Sequence, residues 1–145
     1  MDRARLAAQL KRDEGVRLTV YQDTRGLPTV GVGHLVCPAD LLHVGDRITP
    51  ERCEALFASD LERTLNDCAR EIAGWATCPA PVQEILANMA YNLGIVGLLS
   101  FHTLLHCVRV QDWAGAARAM ECSRWYHQVG ERSKRLVAAM RSLAV

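Results

Sequence analysis

The chain lacks several features that would place it in a specialised class of protein. Seventeen Lys and Arg against sixteen Asp and Glu leave a formal net charge of only +1, which argues against a dedicated nucleic-acid-binding protein. No apolar run approaches the length of a membrane span, and charged residues occupy the N-terminal stretch where a signal peptide has its apolar core. There is no internal repeat. These absences favour one ordinary globular domain, made in the cytoplasm and without stable membrane insertion.

The sequence also lacks a zinc signature, although it has six cysteines. None of them forms a Cys-x-x-Cys pair, and in a reducing compartment we expect them to be small buried hydrophobes. Whether they pair after export is left open. His102 and His106 lie one helical turn apart, but no acidic third ligand stands nearby in the sequence, so no metal and no cofactor are predicted.

The N-terminal third predicts a helix followed by a small sheet. Asp2 is a suitable N-cap and Gly15 a suitable terminator, so Glu14 should lie in the last helical turn. Alternating apolar residues from Val16 predict a strand. A tight turn over Asp23–Gly26 should end this strand. Extended structure resumes at Leu27 and continues through two further short strands, with Pro28 indicating an edge position.

The remainder of the chain predicts helices only. Thr49-Pro50-Glu51 is a strong helix start, and the apolar stripe that follows ends at Gly74, which gives one long connecting helix. Further helices are expected over Val82–Leu93 (closed by Gly94), Phe101–Val108, Asp112–Met120 and Glu131–Leu143. The fold class is therefore α+β, with a three-stranded antiparallel sheet in an N-terminal lobe and an all-helical C-terminal lobe.

Glu14 and Asp23 are two carboxylates in different settings. The negative end of the helix dipole should raise the pKa of Glu14, whereas Asp23 in a turn should stay ionised. Together with the hydroxyl of Thr29 on the next strand, these two carboxylates are the groups that acid–base cleavage of a glycosidic bond requires. The alternative is structural, because turn aspartates commonly cap backbone groups.

Three stretches resemble the phage-type lysozymes, the T-even phage endolysin family (glycoside hydrolase family 24). They span most of the chain in the family's order. The first and most specific runs from Asp13-Glu14-Gly15 through Tyr21-x-Asp23-Thr24-x-Gly26 to Thr29-Val30-Gly31-Val32-Gly33-His34. The others are Asn88-Met89-Ala90-Tyr91-Asn92-Leu93-Gly94 and Cys122-Ser123-Arg124-Trp125-Tyr126-His127-Gln128, the latter followed by Arg132, Lys134 and Arg135.

The resemblance implies a two-lobed muramidase that cuts the β-1,4 bond between N-acetylmuramic acid and N-acetylglucosamine in peptidoglycan. It implies Glu14 as general acid, Asp23 as base or electrostatic partner, and Thr29 as the residue that positions the attacking water. The family inverts the anomeric configuration, for which carboxyl groups about 6.5–9.5 Å apart are expected, against about 5–5.5 Å for a retaining pair.

The same resemblance assigns supporting and binding residues. It implies a structural ion pair between His34 and Asp60, and it places Leu35, Tyr91, Asn92 and Arg132 along a saccharide cleft between the lobes. Phe101 matches an aromatic near the cleft, although an aromatic at helical spacing is more often core. The loop between His34 and Thr49 is shorter than in the T-even enzyme.

A single lysozyme domain over residues 1–145 is therefore expected, with about 13–60 forming the sheet lobe and about 61–145 plus helix 1–12 the helical lobe. The expected partner is peptidoglycan polysaccharide, reached from the host cytoplasm through a holin-type membrane lesion, and the chain should be monomeric. The basic residues Lys134, Arg135 and Arg141 predict a solvated face or attraction to the anionic envelope. Two alternatives stay open: a lytic transglycosylase, and a catalytically silent wall-binding module.

Overall fold

The computed structural model describes all residues, 1–145. They form two compact units, Arg3–Arg63 and Thr64–Val145 with Met1–Asp2, and the boundary falls inside the second helix. The helices are α1 (Arg3–Glu14), α2 (Pro50–Glu71), α3 (Ala80–Leu99), α4 (His102–Arg109), α5 (Trp113–Glu121), α6 (Arg124–Gln128) and α7 (Glu131–Arg141). The strands are β1 (Arg17–Gln22), β2 (Pro28–Gly31) and β3 (His34–Leu35), and short 3-10 turns cover Pro38–Asp40 and Trp75–Thr77. The predicted α+β fold is confirmed.

The unit that contains the sheet, called the sheet unit below, begins with α1. Gly15 ends this helix with a φ of +74°, and its N–H donates to the carbonyl of Lys11 at 3.0 Å. Lys11 also forms an ion pair with Glu54 at 2.7 Å and lies over the ring of Phe57. These contacts place α1 in the sheet unit, whereas the sequence assigned residues 1–12 to the helical lobe.

The sheet has the order β1-β2-β3, with both neighbouring pairs antiparallel. Tyr21 lies opposite Thr29, and Val30 lies opposite His34. The edge position predicted from Pro28 is wrong, since β2 is the central strand. Proline is accommodated because it is the first residue of the strand, where the missing N–H removes no interior ladder bond.

The outer edge of β1 is covered by a segment predicted to be loop. Val20 donates to the carbonyl of Asp46 at 2.8 Å, Gly45 donates to that of Val20 at 2.9 Å, and Ile48 donates to that of Leu18 at 2.8 Å. This pairing removes an open strand edge. It could not be predicted, because residues 45–48 show neither alternation nor β-branched enrichment.

The long helix α2 begins as predicted. Thr49 caps it by accepting the N–H of Arg52 on Oγ1 at 3.1 Å, and proline occupies the first helical position. Its apolar stripe contributes to the core of the sheet unit, whose buried apolar side chains are Leu6, Leu10, Val20, Val30, Val32, Ile48, Cys53, Phe57 and Leu61.

The second unit, the helical unit, is built around α3. Its core includes Leu86, Met89, Met120 and Met140, all fully buried. Gly94 interrupts α3 with a φ of +76° and a ψ of 158°, after which the helix resumes to Leu99. The predicted terminator is therefore a break within a longer helix.

Helix α3 is long and apolar enough to cross a membrane by length and composition, contrary to the expectation that no stretch approaches such a span. Eight of its side chains are buried within the protein, which is the setting of a core helix. The short helix α6 was not predicted. Ser123 caps it by accepting the N–H of Tyr126 at 3.2 Å.

The six cysteines are all free thiols in the structure. Cys53, Cys68 and Cys107 are buried as predicted, and burial raises the pKa of the Cys68 thiol to about 12. Cys37 and Cys122 are exposed, and Cys78 is half-buried, so burial holds for only part of the set.

Candidate active site

Glu14 is the last residue of α1, and its side chain is half-buried. The turn between β2 and β3 approaches its carboxyl group closely: a Cβ atom built on Gly33 would lie 2.9 Å from Oε1 of Glu14. Gly33 has a φ of +64°, a conformation that glycine adopts without strain. The end of one helix and a glycine turn together set the position of this carboxyl group.

Asp23 lies in the turn between β1 and β2. Its Oδ1 accepts the N–H of Arg25 at 2.8 Å and the N–H of Leu27 at 2.9 Å, while Oδ2 lies 3.4 Å from the Arg25 guanidinium. These contacts, the Leu27 hydrogen bond first, hold the pKa of Asp23 below its ordinary value despite partial desolvation. The side chain is therefore ionised at neutral pH.

Thr29 is tied to the same turn. Its hydroxyl donates to the carbonyl of Leu27 at 3.0 Å, and that carbonyl also accepts the N–H of Asp23 at 2.9 Å. Thr29 is only 4% exposed. Because its proton is directed to Leu27, the lone pairs of its oxygen remain the part that can accept a hydrogen bond.

His34 and Asp60 lie together, with Nδ1 of the imidazole 2.7 Å from Oδ2 of the carboxylate. The sequence missed a second carboxylate: Oδ2 of Asp40 lies 2.8 Å from Nε2 of the same ring. The Asp60 hydrogen bond and then the Asp40 hydrogen bond raise the pKa of His34 against the opposing effect of burial. Asp40 was not singled out because one aspartate in a loop carries no distinguishing pattern.

Leu35 is the other predicted site residue in the sheet unit. It follows His34 on β3 and is 48% exposed, which is unusual for a large apolar side chain on a strand. Glu14, Asp23, Thr29, His34, Leu35 and Asp60 thus all belong to one compact unit.

Tyr91, Asn92 and Arg132 belong to the helical unit. Asn92 accepts the indole N–H of Trp125 on Oδ1 at 2.9 Å, and Trp125 contacts Phe101 edge-on with ring centroids 6.4 Å apart. Tyr91 is half-buried on α3. The aromatic at position 101 is thus part of a packed cluster.

Arg132 is held by polar partners inside the helical unit. It is 8% exposed, and its Nε donates to Oδ1 of Asn88 at 2.8 Å. The guanidinium therefore links α7 to α3. A buried cation with these partners is a structural tie in the helical unit.

The other histidines do not form a recognisable metal centre. His102 and His106 line a hollow of about 260 Å³ with Glu71 and Arg109, and Nη2 of Arg109 lies 3.4 Å from Nδ1 of His106. No group of three His, Cys, Asp or Glu side chains in the chain is arranged to hold a metal ion.

Comparison with known proteins agrees with the fold. The family model described as "Phage lysozyme" matches residues 11–142. The chain is 33% identical over 156 residues to the "Pre-baseplate central spike protein Gp5" of Enterobacteria phage T4, a match that covers 90% of this chain and 26% of that protein. It therefore spans about a quarter of that relative's length.

Two further relatives are matched over most of their own length. "Probable T4-type lysozyme 1" of Dictyostelium discoideum is 29% identical over 157 residues, covering 90% of each chain. The "Endolysin" of Salmonella phage P22 is 44% identical over 114 residues, covering 77% of this chain and 75% of that protein.

The fold and the family match place the protein in the class of lysozyme-type hydrolases of the bacterial cell wall. The chain belongs to the phage lysozyme family.

Proposed function

We propose that the chain is an endolysin: an inverting muramidase that hydrolyses the β-1,4 bond between N-acetylmuramic acid and N-acetylglucosamine in peptidoglycan and thereby lyses the bacterial cell. The observation that carries the proposal is the turn in which Asp23 is held ionised by two backbone N–H groups and shares the Leu27 carbonyl with Thr29. Glu14 completes the set at the end of α1.

In this mechanism Glu14 donates its proton to the glycosidic oxygen as the bond to the anomeric carbon breaks. A water molecule attacks that carbon from the opposite face. Thr29 accepts a hydrogen bond from this water on its hydroxyl oxygen, because its own proton is held by the Leu27 carbonyl. The electron pair of the broken bond stays with the leaving oxygen, which becomes a hydroxyl group.

Asp23 orients the water, takes up its proton and faces the positive charge that develops on the sugar. A lowered pKa makes a carboxylate a weak base but keeps it negative, so its electrostatic contribution is the larger one. The oxygen available for this is Oδ2, since Oδ1 already accepts two N–H groups.

Leu35, Tyr91 and Asn92 are the proposed sugar contacts. Leu35 offers an exposed apolar surface beside the turn, and half-buried Tyr91 and Asn92 offer polar groups that can meet hydroxyl or acetamido substituents. Arg132, the fourth proposed contact, is tied to α3 through Asn88. We place synthesis in the host cytoplasm and action at the wall, as a monomer, after a holin-type lesion has opened the membrane.

The decisive experiment compares wild type with Glu14→Gln in turbidity clearing of outer-membrane-permeabilised cells. The amide keeps the shape of the side chain and deletes the donated proton, so we expect the rate to fall by at least a factor of about 10². Equal clearing by both proteins would remove Glu14 from catalysis and favour a wall-binding module.

Product analysis tests the reaction type. Mass spectrometry of digested peptidoglycan should show reducing N-acetylmuramic acid ends, and NMR of the initial products should show inverted anomers. Anhydro-muramic products would identify a lytic transglycosylase instead.

A further inference from the structure

One oxygen atom in the loop after β3 gathers three donors. Oδ2 of Asp40 lies 2.8 Å from Nε2 of His34, 2.8 Å from the backbone N of Cys37 and 3.3 Å from Sγ of Cys37. The bond from the backbone N–H of Cys37 is one half of the capping box of the 3-10 turn Pro38–Asp40, so the carboxylate is held in a fixed direction. Asp40, which lies outside the three stretches that resemble the phage-type lysozymes, thus contacts the imidazole of His34.

His34 lies between two carboxylates from different segments. Asp60 approaches Nδ1 from α2, and Arg63 binds the other oxygen of Asp60 at 3.0 Å. The side chains of His34 and Asp40 are only 9% and 12% exposed. Two ring nitrogens facing carboxylate oxygens are best satisfied when both carry a proton, so the imidazolium is the form that this site holds.

The backbone of His34 adjoins the turn residue that lies against Glu14. His34 pairs with Val30 across the β2–β3 hairpin, and its immediate neighbour Gly33 is the residue that lies against the Glu14 carboxyl group. Fixing the His34 side chain from two sides therefore fixes the turn beside the proton donor.

We propose that Asp40 is a positioning residue for the reaction: by holding the His34 side chain, it keeps the β2–β3 turn in place against Glu14. The inference rests on the proposed function, in which Glu14 donates the proton. Asp60 alone leaves Nε2 unpaired and the loop 37–40 unattached to the ring, so the hairpin loses one of its two anchors when Asp40 is changed.

Several charged and titratable groups lie around His34 and its neighbours. They are Asp60 and Arg63 on α2, Asp40 and Cys37 in the loop, Arg52 of α2 (which donates to the Asp40 carbonyl at 2.7 Å) and Glu14 beside Gly33. A raised His34 pKa agrees with this surrounding, because the two carboxylates favour the charged ring.

The test compares Asp40→Asn with Asp46→Asn. Asp46 is a matched control, since its carboxylate accepts the backbone N–H of His43 in the same loop but does not bond to His34. We expect Asp40→Asn to lower kcat on soluble peptidoglycan fragments about tenfold with little change in KM, because a small displacement of a reacting group reduces the rate without weakening binding. Asp46→Asn should keep the wild-type kcat.

Two further readouts separate positioning from a general loss of structure. NMR titration of His34 should show a lower pKa in Asp40→Asn only, and the alkaline limb of the pH–rate profile should move to lower pH in the same variant. Asp40→Glu, which retains the charge and can still cap Cys37, should stay within about threefold of the wild-type kcat. It also serves as the test if Asp40→Asn does not fold at the assay temperature.

A wild-type kcat in Asp40→Asn would overturn the inference, as would an Asp40→Glu variant whose kcat is tenfold below that of the wild type. Glu14→Gln is measured beside them. If Glu14→Gln is as active as wild type, the proposed function has failed, whereas an inactive Glu14→Gln with a fully active Asp40→Asn defeats only the role of Asp40.

Discussion

Gly33 lies against the carboxyl group of Glu14, so closely that a Cβ at position 33 would be 2.9 Å from Oε1 and 3.2 Å from the carboxyl carbon. The glycine is required here for two reasons, its positive φ and the absence of a side chain. The position of the proposed proton donor therefore depends on a residue nineteen positions along the chain, in a different element.

The first prediction concerns this contact. Gly33→Ala should reduce kcat about tenfold or more, because the new methyl group displaces the Glu14 carboxyl group, and it should destabilise the protein by about 1–2 kcal/mol. Gly45→Ala is the control, since Gly45 also has a positive φ but has no atom within 4 Å of its Cβ position. It should lose stability and keep kcat. Equal activities for the two variants would show that Gly33 does not position Glu14.

The second prediction concerns the charge of Asp23. In Asp23→Asn the side-chain oxygen can still accept the N–H groups of Arg25 and Leu27, so the turn and the melting temperature should change little. The loss of the negative charge should lower kcat by roughly 10²–10³-fold. Circular dichroism melts and initial rates on the same preparation measure both. A variant that is folded and fully active would exclude Asp23 from catalysis.

The third prediction separates the two functions of Thr29. Thr29→Ser keeps the hydroxyl that bonds to Leu27, so it should retain most of the activity. Thr29→Val has nearly the same shape without the hydroxyl, leaves the Leu27 carbonyl one donor short, and removes the acceptor for water. We expect its kcat to fall by about 10²-fold. Comparable rates in the Ser and Val variants would mean that Thr29 acts by packing alone.

The fourth prediction is the pH dependence of stability. The folded pKa of His34 is raised, so its contribution is fully present below about pH 6.5 and is lost as pH rises through the folded value. Desolvation would raise the pKa of Asp40, but the hydrogen bonds from Cys37 and His34 outweigh it and lower the pKa to about 2. The contribution of Asp40 to stability is therefore fully present above roughly pH 4 and is lost as pH falls through the folded pKa of about 2. The pair therefore stabilises the fold most between about pH 4 and pH 6.5.

This window is measured by urea unfolding of wild type and Asp40→Asn. The difference in unfolding free energy should be about 2 kcal/mol near pH 5 and smaller both at about pH 2 and at alkaline pH. Asp46→Asn, whose carboxylate is about half exposed, should differ from wild type by less than about 0.5 kcal/mol throughout. A difference for Asp40→Asn that does not vary with pH would show that the ionisation of His34 and Asp40 does not contribute to stability.

The fifth prediction concerns backbone strain outside the site. Gln111 joins α4 to α5 with a φ of +60°, a conformation that costs an L-residue about 1 kcal/mol. Gln111→Gly should raise the unfolding free energy by a fraction of that amount, up to about 1 kcal/mol, with no effect on activity. The neighbouring Val110 has a φ of −93°, so Val110→Gly should instead destabilise. The opposite signs are checked by chemical denaturation.

The sequence by itself determined those features whose hydrogen bonds close within a few residues. Gly15 ends α1, the Asp23–Gly26 turn forms, and Thr49 caps α2, because each depends on the conformational preferences of neighbouring residues. The candidate residues Glu14, Asp23 and Thr29 were predicted from one continuous stretch, which also carries the most specific resemblance to the phage-type lysozymes.

Only the tertiary structure decided the features that join distant segments. The pairing of residues 45–48 with β1, the Arg132–Asn88 bond 44 residues apart and the second carboxylate on His34 leave no local pattern in the sequence. Their physical basis is the pairing of polar groups once the chain has folded: a strand edge, a buried guanidinium and a buried imidazolium each require a partner, and the fold determines which residue supplies it.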